Sequence, residues 1–226
     1  MTRLALCSIA TLACLLAVGA AQAGPATDTV RATFTEANKI LTDPTTAAGP
    51  HERLVAIRAL FSRVFDFRGA SERVLGRQWQ ARTAAEQTEF TRLFGDFVQR
   101  GFVYWIASVA EVNGSGVTVH YLSEAVDRDR AAVQTAIVGR GGRPVRLDHD
   151  MVYQGKRWMV RDVTIEGVSL VANYRAQFDR VMRGSSYREL VARMRERVAS
   201  ELPRPAAAGP EALGADIFRS RQIETR

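Results

Sequence analysis

The residues of this 226-residue chain that could move a proton, hold a metal or attack a substrate are few: His51, His120 and His149, Cys7 and Cys14, and scattered carboxylates. Metal sites gather two or three imidazoles or thiolates, and the sequence contains neither a His-x-x-x-His step nor a Cys-x-x-Cys pair. No metal and no cofactor are therefore expected. Ser169 lies in Gly167-Val168-Ser169-Leu170-Val171, which lacks the second glycine of a nucleophile elbow. It reads as a helix N-cap. Asp162 and Glu166 suit turn and cap hydrogen bonds better than catalysis. His149 carries two readings: a core imidazole satisfied by a neighbour, or a polar contact to a ligand ester or headgroup. The chain is expected not to be an enzyme and no catalytic residue is assigned; the alternative is a small α+β enzyme with Asp162 or His149 as base.

Arg3 is followed by an apolar stretch over 4–18 and by Ala21-Gln22-Ala23, a small-x-small cleavage pattern ahead of Gly24. About 15 apolar residues fall short of the roughly 20 that a membrane-spanning helix needs, so residues 1–23 are expected to be a cleaved export signal and the protein periplasmic. Both cysteines lie inside that segment, which leaves the mature chain no thiol for a disulfide or a metal. A lipid-modified Cys14 is disfavoured by Thr11, three residues before it. Removing 1–23 takes away one charge, Arg3, and leaves 203 residues at a formal charge of +6 in place of +7, a size that suits one domain with a substantial core. The arginines are scattered, so nucleic acid is not an expected partner; the positive excess reads first as a solvated face, and steering toward anionic headgroups or an acidic partner is the weaker reading.

Apolar periodicity supplies the elements. Val30, Phe34, Ala37, Ile40 and Leu41 share a helical face over 27–41, stopped by Asp43-Pro44. A second helix is expected over 51–67, with Gly69 as its terminator and 70–79 as a short connecting segment. Thr83-Ala84-Ala85-Glu86 is a capping box that opens a long helix with an aromatic face, Phe90, Phe94, Phe97, Phe102 and Trp105. The period then changes to two. Asn113-Gly114-Ser115-Gly116 leads into Val117, Val119 and Tyr121, a second strand covers 131–138, and in a third Val145, Leu147, His149, Met151 and Tyr153 alternate with Arg146, Asp148 and Asp150. Gln154-Gly155-Lys156 turns the chain into a fourth strand over 157–165. Helices return with Leu170, Tyr174 and Phe178 in line, and again over 187–202, before a Pro- and Ala-rich tail over 203–226. This order describes an α+β domain over 24–202: a curved antiparallel sheet of about four strands, covered by helices on one face and wet on the other.

The interior faces are rich in aromatic residues, and a curved sheet under helices can leave an apolar pocket, typically about 300 to 1,000 Å³ for a ligand. Each methylene kept from water contributes about 0.8 kcal/mol, so one enclosed fatty chain exceeds about 10 kcal/mol. A charged headgroup, costly to bury unpaired, belongs at the mouth.

Three blocks carry a family likeness. The first is Val74-Leu75-Gly76, Trp79 and Thr83-x-x-Glu86-Gln87-x-x-Phe90-x-x-x-Phe94-x-x-Phe97. The second is Gly142-Arg143-Pro144-Val145-Arg146-Leu147-Asp148. The third is Trp158-x-Val160-x-Asp162-Val163-x-Ile165-Glu166-Gly167-Val168-Ser169-Leu170-Val171-x-Asn173-Tyr174-Arg175-x-Gln177-Phe178. In this order and spacing, over 27–199, the chain resembles the periplasmic phospholipid-binding components of the Mla lipid-asymmetry pathway, also called toluene-tolerance auxiliary proteins of an ABC transporter.

The resemblance implies a carrier that encloses phospholipid tails between sheet and helices, without catalysis of its own. Its partners would be an outer-membrane lipoprotein complex and an inner-membrane MCE-domain/ABC transporter complex. A branch associated with hopanoid biosynthesis is similar enough to keep a hopanoid as the alternative cargo. The residues expected to meet the cargo are Phe94, Phe97 and Phe102 on the long helix; Val133 and Ile137; Leu147, His149, Met151 and Tyr153; Trp158 and Val163; and Val168, Leu170, Tyr174 and Phe178. His149 departs from the larger apolar or aromatic residue of many relatives, and Tyr153 and Trp158 read equally as core or pocket wall.

Overall fold

The computed structural model describes residues 24–42, 50–109, 116–139 and 142–199. The expected export signal with its cysteines, the Asp43-Pro44 stop, the Asn113-Gly114-Ser115 turn and the tail lie outside these residues. Helix α1 (Pro25–Thr42) begins on a proline, whose missing N–H has no intrahelical partner to lose there, and buries Val30, Phe34 and Leu41. It is followed by α2 (Pro50–Val64), α3 (Phe67–Leu75), α4 (Arg77–Gln80) and α5 (Ala84–Val109). The capping box forms as the sequence predicts: the Glu86 N–H donates to Thr83 Oγ1 at 3.2 Å and the Thr83 N–H to Glu86 Oε2 at 2.8 Å.

The helix expected over 51–67 is instead broken in two. Phe65 leaves α2 to bridge Val160, and the Asp66 N–H donates to the Val160 carbonyl at 2.7 Å. The Asp66 carboxylate then caps α3 by accepting the Gly69 N–H at 2.9 Å. Gly69 is thus inside a helix rather than at its end, and the segment 70–79 is largely helical.

Five strands follow: β1 (Thr118–Asp127), β2 (Arg130–Val138), β3 (Pro144–Gln154), β4 (Arg157–Ile165) and the two-residue β5 (Val168–Ser169). They lie in sequence order, each antiparallel to its neighbour. Gly155 and Lys156, at φ 59° and 64°, make the tight β3–β4 hairpin. Helix α1 packs on β1, β2 and β4, and α2 and α3 approach β4. At the sheet edge, the Thr27 N–H donates to Glu124 Oε2 at 2.8 Å, so a β1 side chain caps the start of α1. Two further helices, α6 (Leu170–Gly184) and α7 (Tyr187–Ala199), complete the cover. Ser169 caps α6, accepting the Ala172 N–H at 2.9 Å.

Alternation on β3 holds through Leu147, His149 and Met151 and then inverts. The β3–β4 register shifts after Asp150, which pairs with Asp162 while Met151 pairs with Val160, leaving Arg161 as the extra residue of a bulge. Met151 and Val152 are consequently both buried, and Tyr153, expected inside, is 47% exposed. Val168, on the short edge strand, is likewise exposed.

Gly76 joins α3 to α4 at φ 53° and ψ −124°, backbone that side-chain-bearing residues avoid. A Cβ there would lie 3.0 Å from the Arg175 guanidinium. Gly76→Ala is expected to cost about 1 to 3 kcal/mol, seen as a lowered urea midpoint at unchanged slope. An unchanged midpoint would contradict this placement of the joint.

Candidate functional site

The interior between α1, α2 and the sheet is not filled completely. A cavity of about 60 Å³ remains, lined by Thr29, Val30, Thr33, Phe34, Ala37 and Leu41 of α1 and by Ile57, Leu60, Phe61 and Val64 of α2. Phe102 of α5 and Val117 close it at the side, and His149, Val160 and Val163 form its floor on β3 and β4. The lining is apolar apart from two threonines and the histidine. Its volume is well below the about 300 to 1,000 Å³ expected of a ligand pocket. The reason lies in the side chains: Phe61 stacks on Phe65 at 4.9 Å and on Phe102 at 4.7 Å between ring centroids, closing α2 onto α5.

Of the residues the sequence nominates, Phe102, His149 and Val163 line this cavity. Phe94, Phe97, Tyr174 and Phe178 come together elsewhere, in an edge-to-face cluster between α5 and α6, with Phe94 5.5 Å and Phe97 6.0 Å from the Tyr174 ring. Val133, Ile137, Leu147 and Met151 are fully buried on the sheet, and Leu170 is buried at the start of α6. Trp158 is buried beside the exposed Tyr153, ring centroids 5.3 Å apart. The α1 and α2 walls were absent from the nomination. A signal for them exists: Thr29, Thr33 and Ala37 recur at four-residue steps beside the apolar stripe of α1, and small side chains in that row leave space rather than fill it.

His149 is the polar group of the cavity floor. It is 5% exposed, with its Nε2 3.1 Å from the hydroxyl of the fully buried Thr135 on β2. The Phe34 ring meets it edge-on at 6.1 Å. Burial holds its pKa down at about 4, with nearby Asp148 opposing, so the imidazole is neutral at pH 7. Between pH 6.5 and about 4 the unfolded chain binds a proton at this position that the folded chain refuses. Stability is therefore expected to fall as pH drops through that window, by up to about 3 kcal/mol. Asp162 opposes this trend, because burial raises its pKa even though Ser169 and the Val171 N–H donate to it. Urea titration of the native chain against His149→Phe isolates the histidine contribution; parallel pH curves for the two would contradict a buried neutral imidazole.

Among the described residues no three His, Cys, Asp or Glu side chains are grouped as metal ligands, and no helix is long and apolar enough to cross a membrane. Geometry thus defines an α+β domain whose unfilled apolar space lies between a helical pair and a sheet floor bearing one neutral imidazole. The chain belongs to the MlaC protein family, whose model matches residues 31–196. It is similar to toluene tolerance protein ttg2D of Pseudomonas putida, 25% identical over 131 residues, which are 58% of this chain and 60% of that protein. The match thus spans less than two thirds of that relative's length. The fold is also that of a phospholipid-binding protein from Ralstonia solanacearum, solved in complex with a phospholipid. That likeness has a TM-score of 0.66 at 24% identity and covers 78% of this chain and 98% of the other.

Proposed function

We propose that this chain is a periplasmic carrier that binds phospholipid acyl chains in the space between α1–α2 and the sheet, without catalysis. The observation that carries the reading is the apolar cavity at that place, in a chain of the MlaC protein family with the fold of a protein solved with phospholipid. A cavity of about 60 Å³ is too small for an acyl chain, so the state described is the closed one, and loading requires α1 and α2 to move outward from the floor. Tail burial supplies the driving force at about 0.8 kcal/mol per methylene, and the headgroup remains in water. The sequence-nominated cluster of Phe94, Phe97, Tyr174 and Phe178 then serves as the rigid backing of α5, with Leu147 and Met151 extending the floor as it opens.

Within this reading residues 1–23 are the export signal, 24–202 the lipid-binding domain and 203–226 a tail. The carrier exchanges lipid with an outer-membrane lipoprotein complex and an inner-membrane MCE-domain/ABC transporter complex. Transfer of a fluorescent phospholipid between donor and acceptor vesicles held apart by a protein-permeable membrane tests the shuttle. Added protein is expected to raise the rate in proportion to its concentration, and a rate equal to that of buffer would end the proposal. Extracted cargo is expected to be glycerophospholipid; a hopanoid in its place would keep the carrier and change the ligand.

A further inference from the structure

Two hairpin tips meet at one end of the sheet. Arg130 of β2 is paired with Val152 of β3, and the Tyr153 N–H donates to the Asp129 carbonyl at 2.7 Å, so the β1–β2 and β3–β4 turns lie side by side. Four exposed cations stand on them: Arg128, Arg130, Lys156 and Arg157. None of the four makes an ion pair among the described residues. The acids at this end are Asp127 and Asp129, so cations outnumber them four to two. Arg128 and Lys156 also hold φ of 56° and 64°, backbone that asparagine or glycine adopts at less cost. A long cation at both positions does nothing for the turns themselves. Beside the cations lie apolar side chains that the helices leave bare: Val126 is 52% and Tyr153 47% exposed. Tyr153 rests on the buried Trp158, and Val160, the next inward residue of β4, is on the cavity floor. The bare rim thus runs into the floor of the cavity.

We propose that this end of the sheet docks on an anionic bilayer surface, with Arg128, Arg130, Lys156 and Arg157 among the lipid phosphates and Val126 and Tyr153 at headgroup depth. Charge complementarity selects that occupant. A second copy of the chain would set like charge against like, whereas an anionic leaflet offers each cation a phosphate. The phenol of Tyr153, apolar along the ring and polar at the tip, suits the boundary between headgroups and tails. The docking goes beyond the carrier reading and rests on it in one respect only: lipid tails pass from the leaflet over Trp158 to Val160.

Co-sedimentation with sucrose-loaded vesicles tests it, using phosphatidylcholine with and without phosphatidylglycerol at low salt. An excess of two positive charges, each worth roughly fivefold, gives an expected preference of roughly thirtyfold for the anionic vesicles, lost at high salt. Arg128→Asn with Lys156→Asn, which suits the turns and removes two cations, is expected to bring the preference down to about one. Arg183→Gln with Arg188→Gln removes the same charge from exposed positions on α6 and α7 and is expected to leave the preference in place, which separates a docking surface from the charge of the whole chain. Tyr153→Ser is expected to weaken binding to both vesicle types. Equal sedimentation of the native chain with both vesicles, a preference that the asparagine pair keeps, or one that both pairs lose overturns the docking surface. Retention of the native chain on immobilised poly-glutamate, with none on anionic vesicles, likewise overturns it and assigns this end to an acidic protein. Lipid co-purifying with the chain reads tail binding separately, so the carrier can stand when the docking fails.

Discussion

Asp66→Ala is expected to lower the stability of the domain by about 3 to 5 kcal/mol, the range for breaking one side of a buried ion pair. Asp66 is 6% exposed and does two jobs at once. One oxygen caps α3 through the Gly69 N–H; the other accepts from Arg161 Nε at 3.0 Å and Nη2 at 2.9 Å. The β4 bulge supplies Arg161 as its extra residue, and the glycine at position 69 leaves room for the pair, since a Cβ there would fall 2.7 Å from Arg161 Nε. Alanine at 66 would leave the guanidinium largely buried and unpaired. Replacing both partners, Asp66→Ala with Arg161→Met, is expected to restore part of the loss, because the stranded charge is then gone. Additive losses in the double variant would show that the pair is not coupled.

Ala37→Trp is expected to weaken phospholipid binding about 100-fold while leaving the fold intact. Ala37 lies on the cavity face of α1, among small side chains. An indole there takes the place of about four methylenes of an acyl chain, each contributing about 0.8 kcal/mol, or roughly 3 kcal/mol in total. The cavity of about 60 Å³ does not hold an indole without some parting of α1 from the floor, so a loss of about 1 to 3 kcal/mol is expected, seen as a thermal midpoint lowered by several degrees in a chain that still folds. Phe178→Ala provides the contrast. It empties a fully buried position in the α5–α6 ring cluster, at an expected cost of about 3 to 5 kcal/mol, with acyl-chain affinity much less affected than in Ala37→Trp. Were the two variants to exchange phenotypes, the cargo would belong beside Tyr174 and not beneath α1.

Local signals carried most of the fold into view. The Thr83–Glu86 box, the period-two run through Leu147, His149 and Met151, and the Gly155-Lys156 turn each act within a few residues, so spacing alone reveals them. What spacing does not reveal are the places where one element alters another. The break at Phe65 depends on a bridge to Val160, 95 positions away in the chain, and the outward turn of Tyr153 depends on a bulge in the neighbouring strand. The candidate site suffers in the same way. Phe94, Tyr174 and Phe178 have the residue types of a pocket wall, yet their rings satisfy one another. Space was left instead where α1 presents threonine and alanine to the sheet. Unfilled volume is a property of facing surfaces, which a single stripe cannot display.

In the proposed carrier α1 and α2 close over a space that takes lipid chains. Native mass spectrometry of the chain recovered from a bacterial periplasm, beside Ala37→Trp prepared identically, tests it most directly. The native chain is expected to begin at Gly24 and carry one bound lipid, and the variant to be bare or nearly so. A native chain that flies only as the empty polypeptide, or a variant that retains the same lipid at the same occupancy, would contradict it.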